Sequence, residues 1–294
     1  MKRRTLLKGL AALGAAPLAG CDRFGSEPLT VSVNAWIGYA PLVYADSRGW
    51  LAPLNVRLFT TVSLGESLTL FETGTAMAFS ATQYEFHLAR RDVPDLVPAI
   101  LLDRSNGGDG VVGNRTLAQL QRDTGPIDVF LEADSVNREV LDQFVRQHGL
   151  TNRKLVLHDQ DQMRNTELDP ARPAPTLVVT YSPYMEQMVR KGFRLLASTR
   201  DLSLLVVDGL FVRRPLLQAR LEQFRRLKQV VDRAIDDFRA RPETVFPHVR
   251  EFLAIKNVAE LKTAMAGIEW INHPPSDLLQ RIAAVGIPVE TVLP

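Results

Sequence analysis

The sequence predicts an α/β protein made of two mostly parallel sheets, each flanked by helices, with a ligand cleft between two lobes. Three observations carry this. Apolar runs of strand length alternate with helix-period segments from residue 29 to about 212. Beyond Pro215 only helix-period patterns remain. Polar and aromatic residues also collect where strands give way to helices, the end at which such sheets hold ligands.

Leu29-Thr-Val-Ser-Val-Asn-Ala35 alternates apolar and polar residues with the period of a strand. Pro41 opens a helix at its favoured first position, and Gly49 ends it. The alternation continues through strand 55–61, helix 65–73 ended by Gly74, strand 76–81, helix 83–91 and strand 96–103. Gly113–Gly125, with a short helix at 117–120, reads as the passage to a second lobe. There follow strand 126–132, helix 136–148 ended by Gly149, strands 154–158 and 176–181, helix 183–190, and strands 194–198 and 204–212. The return passage is placed near Asp208–Arg214. From there Leu217, Leu221, Phe224, Leu227, Val231, Ile235 and Phe238 recur at three- and four-residue steps, one apolar stripe on a long helix. Its basic residues are interleaved with Glu222, Asp232, Asp236 and Asp237, which reads as a solvated face. Helices 242–253, 258–266 and 276–285 complete the chain. The first lobe is thus 29–113 with 212–294, the second 114–211, and two crossings make a hinge.

The N-terminus differs in kind. Met1-Lys-Arg-Arg-Thr-Leu-Leu-Lys8 is basic, and small and apolar residues run from Gly9 to Pro17. That is the layout of an export signal over residues 1–20, and the run is shorter than the roughly 20 residues a spanning helix needs. Residues 21–28 read as a polar tether. Cys21 is the one cysteine of 294 residues, so it has no disulfide partner and cannot form a cysteine metal cage. Removing residues 1–20 lowers the basic count from 35 to 31 against 33 acidic residues, turning a net charge of +2 into −2. The basicity belongs to the signal, and nothing supports nucleic-acid binding. At 46% hydrophobic composition the remainder can fill two cores.

Candidate ligand-binding residues follow from the strand ends: Asn34, Trp36 and Tyr39; Thr82 and Glu85; Asn106 and Asp109; Asp134, Ser135 and Asn137; Tyr181 and Tyr184; and Asp208. Singly each suits a bland role, Ser135 as a helix cap and Asn106-Gly-Gly as a turn. Together they offer flat aromatic walls and directional hydrogen bonds to a small molecule. The free amides at the start of helix 136–148 suit a negative group. Glu85, Asp109, Asp134 and Asp208 suit an amine or ring nitrogen, while Arg104 and Arg138 are available to an anion, so the ligand's charge is open. The five histidines show no His-x-x-x-His spacing, and no Gly-x-Ser-x-Gly elbow occurs. No metal, cofactor or catalytic constellation is expected.

Val33-Asn-Ala-Trp-Ile-Gly-Tyr-Ala-Pro-Leu42 resembles the first strand-to-helix signature of periplasmic substrate-binding proteins of the nitrate, sulfonate, taurine and thiamine-pyrimidine type. Thr82-Gln-Tyr-Glu85 stands in place of that family's Thr-x-Asp-Glu, with Tyr84 for the acid. Ser105-Asn-Gly-Gly-Asp109 resembles its Ser-x-Gly-Ala-Asp, and Glu132-Ala-Asp-Ser135 its Glu-x-Gly-Ser, with Asp134 for the glycine. Thr180-Tyr-Ser-Pro-Tyr184 resembles Thr-x-Glu-Pro-Tyr, with Ser182 for the acid. Leu18-Ala-Gly-Cys21 resembles the bacterial lipobox, and Arg3-Arg-Thr-Leu-Leu-Lys8 the twin-arginine export signal.

The resemblance implies a bilobal type II periplasmic-binding-protein fold and a monomeric solute-binding component of an ABC importer. It implies acylation of Cys21, anchoring at the periplasmic face of the inner membrane, and a permease and ATPase as partners. Asp22 matches an inner-membrane retention signal. The three departures fall at suspected pocket positions, so ligand identity carries over less than fold. Two other readings stand beside it. One is a sensory or adaptor lipoprotein that reports occupancy to a membrane receptor. The other is an enzyme of the thiamine-pyrimidine biosynthesis type, whose cysteine-rich metal motif this chain lacks.

Overall fold

In the computed structural model, which describes residues 27–294, strand β1 (Leu29–Asn34) lies between β2 (Val56–Thr61) and β3 (Ala78–Thr82), parallel to both. The expectations for the export signal and Cys21 lie outside those residues. Helices α1 (Ala40–Ser47), α2 (Leu64–Glu72) and α3 (Gln83–Ala89) follow the three strands in turn. Strand β4 (Leu96–Ser105) belongs to the same sheet and carries the chain out of it, and after Asn106–Gly108 the chain enters β5 (Asp109–Gly113) of a second sheet. That sheet is completed by β6 (Ile127–Leu131), β7 (Leu155–Asp159), β8 (Thr176–Tyr181) and β9 (Arg194–Ser198), in the order β7-β6-β8-β5-β9. Its helices are α4 (Leu117–Arg122), α5 (Asn137–Gln147), α6 (Gln162–Asn165) and α7 (Tyr184–Lys191).

The chain returns through β10 (Val207–Arg213), which inserts between β3 and β4, and β11 (Ile268–Trp270) later pairs on the far side of β4. The first sheet has the order β11-β4-β10-β3-β1-β2. The long helical stripe is interrupted at Arg220 into α8 (Arg214–Ala219) and α9 (Leu221–Ala240), followed by α10 (Pro242–Val249), α11 (Val258–Met265) and α12 (Ser276–Ala284).

The fold class is the one the sequence predicts, but the sheets are mixed rather than mostly parallel. β10 runs antiparallel to both β3 and β4, and β5 antiparallel to both β8 and β9. The reason is the crossing itself. β4 carries the chain out of the first sheet and β10 carries it back beside β4, so the pair must run in opposite directions. β5 and β9 stand in the same relation in the second sheet. The crossings also fall earlier than the sequence placed them. Asp109–Gly113 pairs in the second sheet and Val207–Arg213 in the first. Gly107, Gly108, Gly110 and Gly113 gave that short strand the look of a turn.

Helices cover both faces of each sheet, and strand alternation divides the cores. Along β3, Ala78 joins the core under α1 and α9, while Phe79 and Ala81 pack with Phe71, Phe86 and Ile282 on the other face. Along β8, Leu177 and Val179 pack with Val140 and Phe144 of α5, and Val178 with Met185 and Met188 of α7. Among the described residues no helix is long and apolar enough to cross a membrane.

Candidate ligand site between the sheets

The carboxyl ends of β1, β3 and β4 and the start of β10 share one edge of the first sheet, since Asp208 is paired with Thr82 on one side and Asp103 on the other. In the second sheet Asp109 stands opposite Tyr181. Between these edges lies a gap of about 10 Å³, room for one water-sized occupant. Asn34, Trp36, Tyr39, Leu64, Thr82 and Asp208 line it from the first sheet's side, and Asp109, Val136 and Tyr181 from the second's.

The polar groups are arranged in layers. Tyr39 donates its hydroxyl hydrogen to Asp208 Oδ1. Burial, then the neighbouring Asp208 charge, pushes the Tyr39 hydroxyl well above its ordinary range. The Trp36 indole nitrogen donates to both carboxylate oxygens of Asp103 at 3.3 Å, and its ring meets Tyr181 edge-on at 5.9 Å. Two glycines let the indole sit there. A Cβ on Gly38 would lie 1.7 Å from Asp103 Oδ2, and one on Gly108 would lie 2.6 Å from Trp36 Cη2. Asn34 donates its amide to the Tyr181 hydroxyl at 3.3 Å, which in turn donates to Glu132 Oε1 at 3.2 Å.

Three oxygens on residues that line the gap have no partner among the described residues: Asn34 Oδ1, Asp109 Oδ2 and Asp208 Oδ2. Their residues are 1%, 3% and 2% exposed. Orphaned polar atoms buried to this degree are rare and call for an explanation. Burial raises Asp109 from the ordinary 3.8 to about 7, and Glu132 from 4.5 to about 8. Burial also raises Asp103 and Asp208 well above the carboxylate range, reinforced by the acids beside them.

Glu85 takes another role. Its Oε2 accepts from the Thr82 amide at 3.0 Å and from the Thr82 hydroxyl, a capping box at the start of α3. Its Oε1 accepts from the Val136 amide of the other half at 2.8 Å. Burial raises its pKa, and the bonds from Thr82 and Val136 pull it back. The start of α5 therefore does hold a negative group, but that group is the chain's own Glu85. The next amide, of Asn137, donates to Ser135 Oγ at 3.2 Å. Two further bonds cross the gap, from the Leu64 amide to Glu132 at 3.4 Å and from Gln83 to Glu139 at 2.9 Å.

Of the residues expected from the sequence, Asn34, Trp36, Tyr39, Thr82, Asp109, Tyr181 and Asp208 come together on the gap. Tyr184 stands behind it, edge-on to Tyr181 at 5.6 Å, its hydroxyl pushed up to about 12 by burial. Ser135 and Asn137 support the loop that carries Glu132: Ser135 donates to the Glu132 carbonyl, and Asn137 accepts from its amide. Asp134 is exposed and lines an adjoining pocket of about 250 Å³ with Glu66, Glu132, Asp159 and Asp161. Asn106 lies at the crossing and donates to Glu269 at 2.7 Å. Arg104 is paired with Glu269 at 2.6 Å and Arg138 with Asp142 at 3.6 Å, so neither faces the gap. The sequence reading missed Asp103, whose signal is an acid closing the apolar run Leu96–Leu102. It also left out Glu132, Leu64 and Val136.

Two sheets joined by paired crossing strands, with a polar gap between their facing ends, define the periplasmic-binding-protein fold. Solved structures that share it with this chain include the following three. The ligand-binding component of an ABC-type import system from Staphylococcus aureus, solved with zinc bound, matches at TM-score 0.69 and 12% identity, covering 88% of this chain and 90% of that one. The periplasmic aliphatic sulphonate binding protein from Escherichia coli matches at 0.67 and 14%, covering 91% and 96%. The periplasmic nitrate-binding protein from Synechocystis matches at 0.59 and 11%, covering 79% and 68%. No family model matches the sequence, and no curated protein does. Among the described residues no group of three or more His, Cys, Asp or Glu is placed to hold a metal ion.

Proposed function

We propose that this protein is the solute-binding component of an ABC importer, exported and tethered to the periplasmic face of the inner membrane through an acylated Cys21. It captures a small nitrogen- or sulfur-containing compound by closing two lobes over it, and hands it to a permease and its ATPase. It acts as a monomer and by binding, not catalysis. The observation that carries this is the set of unpartnered oxygens from both sheets, Asn34 and Asp208 on one side and Asp109 on the other, on residues that line one gap. A ligand touching both halves favours the closed form over the open one, which is what closure by a ligand requires. The two crossings, 106–108 and 199–206, are the proposed hinge between a lobe of 27–105 with 207–294 and a lobe of 109–198. Solved relatives of the same fold include proteins described as ligand-binding components of ABC-type import and as sulphonate and nitrate binders, which supports the reading. The test is fluorescence titration of the exported protein with small nitrogen and sulfur solutes, beside mass spectrometry of whatever co-purifies. A protein that carries no solute and responds to none would refute the reading.

A further inference from the structure

We propose that the gap is built for the protonated amino group of a small primary amine that carries no acid group, an inference that rests on the solute-binding reading above. The orphaned atoms on residues that line the gap are all oxygens: one amide carbonyl oxygen and two carboxylate oxygens. An –NH3+ group offers three donors and no acceptor, which is what three such oxygens lack. The space of about 10 Å³ has room for one water-sized group, the size of an ammonium head. Trp36 and Tyr181 supply ring walls for a cation. Among the described residues no Lys, Arg or His lines the gap or the adjoining pocket, so none of them gives an anion a counter-charge there.

The adjoining pocket says what the rest of the molecule is. Glu132 lines the second pocket and stands next to the gap, accepting from Tyr181 and from the Leu64 amide, both of which line the gap. Around it stand Glu66, Asp134, Asp159 and Asp161. A tail emerging there meets carboxylates. A second amino group is favoured, and a carboxylate or sulfonate is repelled. The groups facing Asp109 and Asp208 are Asp103, Glu85 and the Tyr39 hydroxyl, and none brings a positive charge. In the empty protein burial raises Asp109 to about 7 and Asp208 well above its ordinary value, which favours their protonated forms. A bound ammonium takes the place of those protons.

The experiment is calorimetric titration of the ligand-free exported protein with ammonium chloride, methylamine, 1,4-diaminobutane, 4-aminobutanoate, taurine, methanesulfonate and nitrate. The diamine is expected to bind best, then methylamine, with the acid-bearing and anionic probes at least about 100-fold weaker. Asp109→Asn and Asp208→Asn, each close in shape to the original, are expected to weaken amine binding by about 30-fold or more. Wild-type titrations in two buffers of different ionisation heat are expected to show protons released on amine binding, a readout that needs no variant to fold. An anion as the best ligand would overturn the amine while leaving the solute binder intact. Ammonium ion binding as tightly as any organic amine would overturn the assignment of the tail. Absence of binding by every amine would overturn the inference, and the co-purifying solute would then say separately whether the binder reading survives.

Discussion

Replacing Glu85 by alanine should loosen the closed arrangement without touching the gap itself. Glu85 does not line the gap, yet its Oε1 receives the Val136 amide across it at 2.8 Å. A hydrogen bond to a charged group contributes about 1.5–3 kcal/mol net. The other Glu85 bonds, to Thr82, lie within one half and are present whether the halves are open or closed. Only the Val136 bond enters the closure equilibrium. At about 1.4 kcal/mol per factor of ten, Glu85→Ala shifts that equilibrium toward the open form by roughly 10- to 100-fold.

A reporter remote from the substitution is available. The Leu64 amide donates across the gap to Glu132, so its hydrogen exchange follows opening. Its protection should fall by the same factor in Glu85→Ala. The loss of the α3 cap adds about 1 kcal/mol of global destabilisation, a melting shift of about 2–4 °C. The capping box of Thr116 and Gln119 on α4 is the control. Gln119→Ala should lower the melting point comparably and leave Leu64 protected. If Leu64 is equally protected in Glu85→Ala and its parent, Glu85 is a cap and nothing more.

Three other outcomes are expected. Asp109 and Glu132, raised to about 7 and about 8, keep protons in the folded chain that the unfolded chain has lost above pH about 4. Stability of the empty protein should therefore fall as pH rises from 5 to 8, by up to about 1.4 kcal/mol per unit per group, and Asp109→Asn should flatten the melting profile. Gly108→Ala places a Cβ 2.6 Å from Trp36 Cη2 and 2.9 Å from the Gly267 carbonyl oxygen. It should cost about 1–3 kcal/mol in denaturant unfolding and shift Trp36 fluorescence. Cys21→Ser should release the protein from membranes in fractionation while ligand affinity stays unchanged; a drop in affinity would contradict the tether reading.

How much of this was legible in the sequence depends on range. Local pattern was enough for β1, β3 and β8 and the helices after them, because each strand is a short run buried on both faces and followed by a helix-period segment. It failed at β5, where four glycines within 107–113 mask a strand whose register is set by β8 and β9. It failed again at β11, three residues long, which exists only because β4 offers an edge. The site followed the same rule. Asn34, Trp36, Tyr39, Tyr181 and Asp208 were visible because strand ends are visible. What the sequence could not show was the partner each polar group takes. Glu85 finds Val136 across 51 positions, and Arg104 finds Glu269 across 165. Neither pairing leaves a trace in composition or spacing, so Glu85 and Arg104 both looked free for a ligand.

β4 and β10 lie side by side in opposite directions, and the Ser105 amide donates to the Val206 carbonyl at 2.9 Å. They are a hairpin that lacks only its turn. Everything from 106 to 205 is, in that sense, spliced into the tip of a complete sheet. A short glycine-rich turn joining Ser105 to Val206 would close the hairpin and leave all six strands of the first sheet in one chain. The protein thus has the plan of a host and a guest, in which the guest can be exchanged for one with a different half-pocket without redrawing the host.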